Sequence, residues 1–180
     1  MAVIEGMDKV LLNLHKEVEK IKGRTLSGFV SALLFVRAES QKECPVVEGN
    51  LKNSAFVVAS TGGVSAGSAP TFKGPHAPDM SAQHQSSINE VSADISKDEI
   101  SGAVGYSAVY AAAVHENPRA GKTEGVSSKG VKYTAGLTES GKPSKRAVFS
   151  TVGKWKFLED PLKSNTKKIL EIIAKKAKIK

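Results

Sequence analysis

Apolar residues at Ile4, Met7, Leu11, Leu14, Val18 and Ile21 recur at alternating spacings of three and four, while Asp8, Lys9, Lys16, Glu17, Glu19 and Lys20 fall off that line. This is the pattern of an amphipathic helix with a single apolar stripe. The stripe then slips. Leu26, Phe29, Val30, Leu33 and Leu34 resume it out of step across Gly23 and Gly28, which predicts a kink there. Pro45 closes the helix at or before Cys44, because proline restricts its predecessor and lacks the amide proton that a helix interior needs. A long helix over residues 1–44 is therefore expected. About 35 helical residues reach about 50 Å, more than a small core requires, so part of the stripe is expected to pack against another subunit.

After Pro45 a turn leads into a short polar turn of helix or an extended lead-in, and Ala55–Ala59, apolar and rich in valine, predicts a buried strand. Glycines and prolines crowd the next stretch, so a long loop is expected over residues 61–83. Ile88–Ser96 and Ile100–Tyr106 flank Lys97-Asp98-Glu99 and predict the two strands of a hairpin. Tyr110–Glu116 predicts a turn or two of helix ended by Pro118, and a second long loop, basic and rich in glycine and serine, is expected over 119–146. A basic C-terminal helix over 160–180 follows, with Asp160 as N-cap, Pro161 in its first turn and apolar positions Leu162, Ile169, Leu170, Ile172, Ile173 and Ala177. The expected fold is α+β, a single domain over 1–180. Its long N-terminal helix and its C-terminal helix pack on one face of a small, mainly antiparallel β-sheet, with two long loops.

Composition narrows the function classes. At 180 residues with 40 % hydrophobic and 24 % charged content, the chain has the make-up of one globular domain and not of a disordered one. Aromatic residues make up 6 %, too few for a broad platform that stacks single-stranded bases. The single cysteine, Cys44, has no partner for an internal disulfide, and no Cys/His spacing resembles a zinc site, which points to a reducing compartment. No stretch has the roughly 18 apolar residues of a membrane span, and no basic segment precedes an apolar run at the start. A soluble, unexported protein is expected, with no membrane partner.

The net charge of +8 is concentrated near the end, where only Glu171 opposes seven lysines among the last eighteen residues. A solvated helix face with cations near the helix C-terminus accounts for such a run. The functional alternative is that Lys167, Lys168, Lys175 and Lys176 approach DNA or an acidic protein surface.

Three local motifs suggest enzymes and fail on context. Gly63-Val64-Ser65-Ala66-Gly67 matches a nucleophile elbow by letter, but Gly67-Ser68-Ala69-Pro70 does not open the helix that an elbow requires. Ala120-Gly121-Lys122-Thr123 matches the end of a phosphate-binding loop, yet Glu116 stands where the first glycine belongs and its carboxylate would repel phosphate. His115-Glu116 matches the start of a zinc-protease motif, but Arg119 occupies the second histidine position. No catalytic, cofactor-binding or metal-binding residue is therefore assigned, and the expectation is a protein that is not an enzyme and carries no cofactor.

Taken in order, three short blocks resemble the neck or tail-completion proteins of tailed bacteriophages, also described as head-tail joining or minor tail components. Pro45-Val46-Val47-Glu48-Gly49-Asn50-Leu51-Lys52-Asn53-Ser54 resembles the family's P-V-x-x-G-x-L-[KR]-x-S segment. Tyr110-Ala111-Ala112-Ala113-Val114-His115-Glu116, preceded by a strand ending at Tyr106, resembles its Y-A-x-x-V-[HE]-E block. Lys156-Phe157-Leu158-Glu159-Asp160-Pro161-Leu162 resembles the K-F-L-E-x-x-L block that opens the last helix. Each block has a structural reading besides. Gly49 permits a tight turn, Asn50 or Ser54 can bond local backbone, and Tyr110 and Val114 share a helix face that would meet Phe157 and Leu158. The resemblance marks Pro45, Gly49, Leu51, Tyr110, Val114, Glu116, Phe157 and Leu158 as residues that build the fold.

The resemblance implies a structural virion protein made in the bacterial cytoplasm and located in the neck. It would form a six- or twelve-fold ring with itself around the DNA channel and complete the tail for joining to the DNA-filled head. Head-side adaptor or portal proteins and tail terminator or tail tube proteins are its implied partners, with packaged DNA as a non-specific contact. A tail terminator, a minor capsid component at the same junction, and a stand-alone basic nucleic-acid-binding protein are the alternatives.

Overall fold

The computed structural model of the chain describes residues 7–46, 49–60, 62–64, 70–96, 99–118, 120, 124–126, 132–134 and 153–178. Helix α1 (Met7–Glu43) is followed by the single turn α2 (Asn50–Asn53), strands β1 (Ala55–Ala59) and β2 (Gly62–Val64), and helix α3 (Ala77–Asp94). Strand β3 (Gly102–Tyr106), the short helix α4 (Ala111–His115), strands β4 (Glu124–Val126) and β5 (Lys132–Thr134), and helices α5 (Glu159–Ser164) and α6 (Thr166–Ala177) complete the order. The fold is α+β, as the sequence pattern predicts.

Strand β1 is the centre of a three-stranded antiparallel sheet of order β2-β1-β3, with Val57 opposite both Val64 and Val104. All five of its residues are buried, which requires cover on both faces because successive side chains point to opposite sides. Helix α1 supplies one cover. The hydroxyl of Tyr106 lies 2.7 Å from Ser40 Oγ, and a Cβ on Gly102 would meet Leu33 at 2.7 Å and Phe29 at 3.1 Å. Helix α3 supplies the other, with the ring of His84 set edge-on to Phe56 at 6.1 Å and to Phe72 at 5.8 Å. Helix α6 lies along α1, extending that layer.

Several elements differ from the sequence expectation. The strand predicted over Ile88–Ser96 is the second half of α3, and β3 pairs with β1 instead. The helical stripe of α3 runs through Met80, His84, Ile88, Val91 and Ile95, and its most buried member is a histidine, which hides the period of 3.6 from a count of apolar residues. The loop expected over 61–83 contains β2 and the first seven residues of α3. Pro78 there opens a helix, a position where its missing amide costs nothing, and does not mark a loop. The loop expected over 119–146 contains the two-stranded ribbon β4-β5, and the rest of that span lies outside the described residues.

Helix α1 runs unbroken through Gly23 and Gly28, so the slip in its pattern marks a change in what packs on it. From Gly28 onward two faces are covered, one by the sheet and one by α6. A Cβ on Gly28 would sit 2.8 Å from the backbone oxygen of Ile173, so glycine is what lets the two helices close. The predicted C-terminal helix is divided at Asn165, whose Nδ2 donates to Pro161 O at 2.9 Å, while Thr166 Oγ1 donates to the carbonyls of Leu162 and Lys163. Side chains that bond nearby carbonyls compete with helix continuation. Leu158, not Asp160, occupies the N-cap position of α5, and Asp160 lies in its first turn, where a carboxylate suits the helix dipole.

Candidate assembly interface

The three sequence blocks converge in space. Cys44, Leu51, Ala108, Ala111 and Phe157 form one buried cluster, against which Met80, Tyr106, Val114 and Leu158 pack. Phe157 is its centre at 1 % exposure, with Tyr106 edge-on at 5.0 Å and His115 edge-on at 5.1 Å. Val114 thus meets Phe157 and Leu158, as the helical spacing predicts, and Leu51 joins them in the same cluster. Gly49 has φ 88°, a left-handed conformation immediately before α2. Pro45 lies under Gly153, where φ is 98° and a Cβ would come within 2.5 Å of the Pro45 nitrogen.

Tyr110 is the exception. It is the residue before α4, 41 % exposed, and Tyr106 takes the core-facing position expected of it. A helix of five residues buries its first alanine, Ala111, and turns the preceding tyrosine outward. There Tyr110 and the exposed Val109 border an open cleft of about 440 Å³ with Met80 and the Lys73–His76 segment. Asn50 holds that segment by two bonds, Nδ2 to Lys73 O at 2.9 Å and Lys73 N to Oδ1 at 2.8 Å.

Charges fasten the segment from Gly153 to Lys163 to the rest. Lys154 bridges Glu43 at 3.1 Å and Asp160 at 2.8 Å, and Lys156 bridges Glu159 at 2.6 Å and Glu116 at 3.2 Å. Lys163 adds a further bond to Glu159. The two lysines hold the Glu159 carboxyl at about 2, and in turn the carboxylates raise Lys154 and Lys156. Glu116 is lowered first by its bond from His115 Nδ1, 2.7 Å away, and then by Lys156. His115 Nε2 accepts from Glu159 N at 3.4 Å, so both ring nitrogens are engaged.

Two buried groups have the chemistry of nucleophiles but not the setting. Burial pushes the Cys44 thiol up to about 12, so it stays protonated and unreactive. His84 Nδ1 lies 2.7 Å from Ser107 Oγ, a pairing with no signal in the sequence pattern. Ser107 Oγ also lies 3.4 Å from Ser54 O, within reach of donating to it. Burial, followed by Arg37, lowers His84, so the ring is neutral near pH 7 and ties α3 to the sheet. Ser65, Gly121, Lys122 and Thr123 lie outside the described residues. Among the described residues no three His, Cys, Asp or Glu side chains cluster as ligands of a metal ion, and no helix is long and apolar enough to cross a membrane.

The four lysines singled out on α6 divide into two pairs. Lys168 Nζ sits 4.6 Å above the Phe35 ring and Lys176 Nζ donates to Ser31 Oγ at 2.7 Å, so both lie back on α1. Lys167 and Lys175 are exposed and share a helix face with Glu171 between them, which weakens that face as a polyanion contact.

The first half of α1 has no such cover. Every described side chain from Lys9 to Gly23 is exposed, and Leu11, Leu14, Val18 and Ile21 are between 47 % and 59 % exposed. A helix of 37 residues is about 55 Å long, and among the described residues only its second half is packed against the rest of the fold. Comparison with protein-family models, with curated proteins and with solved structures returns no match.

Proposed function

We propose that this chain is a structural subunit of the neck of a tailed bacteriophage, a tail-completion protein that joins the tail to the DNA-filled head as part of a ring of identical copies. It acts by holding surfaces together and not by turnover. The observation that carries this reading is the projecting half of α1, where Leu11, Leu14, Val18 and Ile21 stand about half exposed along one stripe, while the described residues of the body bury a cluster around Phe157. Monomeric proteins rarely leave such a contiguous apolar surface uncovered, and interaction sites do. The convergence of the three blocks on one cluster supports the resemblance, because their residues then serve a common fold. Adaptor or portal proteins on the head side and terminator or tube proteins on the tail side are the proposed neighbours, and the neck of the virion is the proposed location. Packaged DNA would be met through Lys167 and Lys175 without sequence preference.

Electron microscopy of particles assembled without this chain tests the reading. Filled heads and separate tails are expected, with joining restored when the chain is supplied. Intact, infectious particles in its absence would refute it.

A further inference from the structure

The exposed stripe on α1 has a narrower geometry than an ordinary amphipathic face. Leu11, Leu14, Val18 and Ile21 alternate spacings of three and four, the a and d positions of a heptad repeat, and Ile4 and Met7 extend the series in sequence. A repeat of 3.5 residues per turn is the seam on which helices supercoil. Carried forward in steps of seven, the same seam passes Thr25 and reaches Gly28, Ala32 and Phe35, and from Gly28 it is occupied. Ile173 closes on Gly28, Ala32 is 2 % exposed, and Lys168 covers Phe35. One continuous seam is therefore covered by α6 from Gly28 onward and left open before it, because α6 ends at Ala177.

We infer that the open part of the seam is filled by α1 of a second copy of this chain, in parallel orientation. This deepens the neck reading by naming the face through which copies meet, and it rests on that reading only for the expectation of like copies. Charge selects the orientation. With Leu11 at a, Glu17 falls at g and Lys22 at e of the following heptad, and in a parallel pair these two face each other across the seam. An antiparallel alignment of the same four apolar residues brings the two Glu17 side chains near one another. Both residues are exposed and free to reach across, although Glu17 is held by Lys20 within its own helix at 2.6 Å. Gly23, with open space around it, stands where the paired helices part to admit α6.

The test is disulfide trapping on the full chain with single introduced cysteines, Cys44 being buried and unreactive. Leu14→Cys should cross-link to itself readily under mild oxidation, and Leu12→Cys, off the seam but equally exposed, should not. Glu17→Lys should reduce trapping through Leu14→Cys several-fold, and adding Lys22→Glu should restore it. Circular dichroism checks that each variant keeps its helix. Equal trapping at positions 12 and 14, or no trapping at position 14 at the highest soluble concentration, overturns the inference, as does a charge reversal without restoration. Particles assembled without the chain test the neck reading separately: if the seam inference fails and the neck reading holds, heads and tails are still unjoined in that experiment.

Discussion

Two glycines with positive φ separate conformational freedom from steric room. At Gly49 a Cβ meets nothing within 4 Å, so Gly49→Ala costs only the left-handed backbone, about 1 kcal/mol. At Gly153 the backbone is also left-handed, and the added carbon collides with the backbone of Cys44 and Pro45 at 2.5–2.6 Å. The two backbones cannot separate without disturbing the bond from Lys154 N to Glu43 O at 2.8 Å. Gly153→Ala should therefore cost about 3 kcal/mol, combining strain and overpacking, and urea unfolding of the two variants side by side measures the difference. Gly49 was legible in the sequence as a turn, and Leu51, Val114, Phe157 and Leu158 were legible through their blocks. Gly153 was not, because its need arises from Pro45, more than a hundred residues away. His84 and Ser107 escaped for a related reason: a polar residue reads as surface until its buried partner is known.

Among elements, α5 is too short to hold itself; buried Phe157 and Pro161 anchor it, and ion pairs from Lys154 and Lys156 tie the segment to Glu43 and Glu116. Glu159 is the hub, bonded by Lys156 and Lys163. Its folded pKa lies near 2 against an ordinary value of 4.5. A depressed carboxylate contributes stability that is present above the unfolded pKa and is lost as pH falls through the folded one. Stability should therefore decline from about pH 4.5 toward about pH 2, and Glu159→Gln should flatten that part of the profile in thermal melts recorded across the range. These groups are exposed, so salt should weaken the effect. Elements with a clean period, α1 and β1, were readable from the sequence alone. Helix α3 was not, since its serines, glutamines and buried histidine carry little of the apolar signal on which the reading depends.

For the whole molecule, the body covers both faces of the sheet, and among the described residues the longest run of exposed apolar side chains is the forward half of α1. Its four seam residues are each about half exposed, so closing them contributes about 1 kcal/mol apiece. Summed over two copies this falls within the range of about 4–15 kcal/mol that association costs. A pair held by the seam alone is thus weak, and in the proposed ring fixed neighbours would supply the effective concentration that makes it firm. Labelling the chain in finished virions tests the account most directly. Gold-tagged antibody against it should mark the junction of head and tail, and label confined to the capsid surface, to the distal tail or to material outside the particles would contradict it.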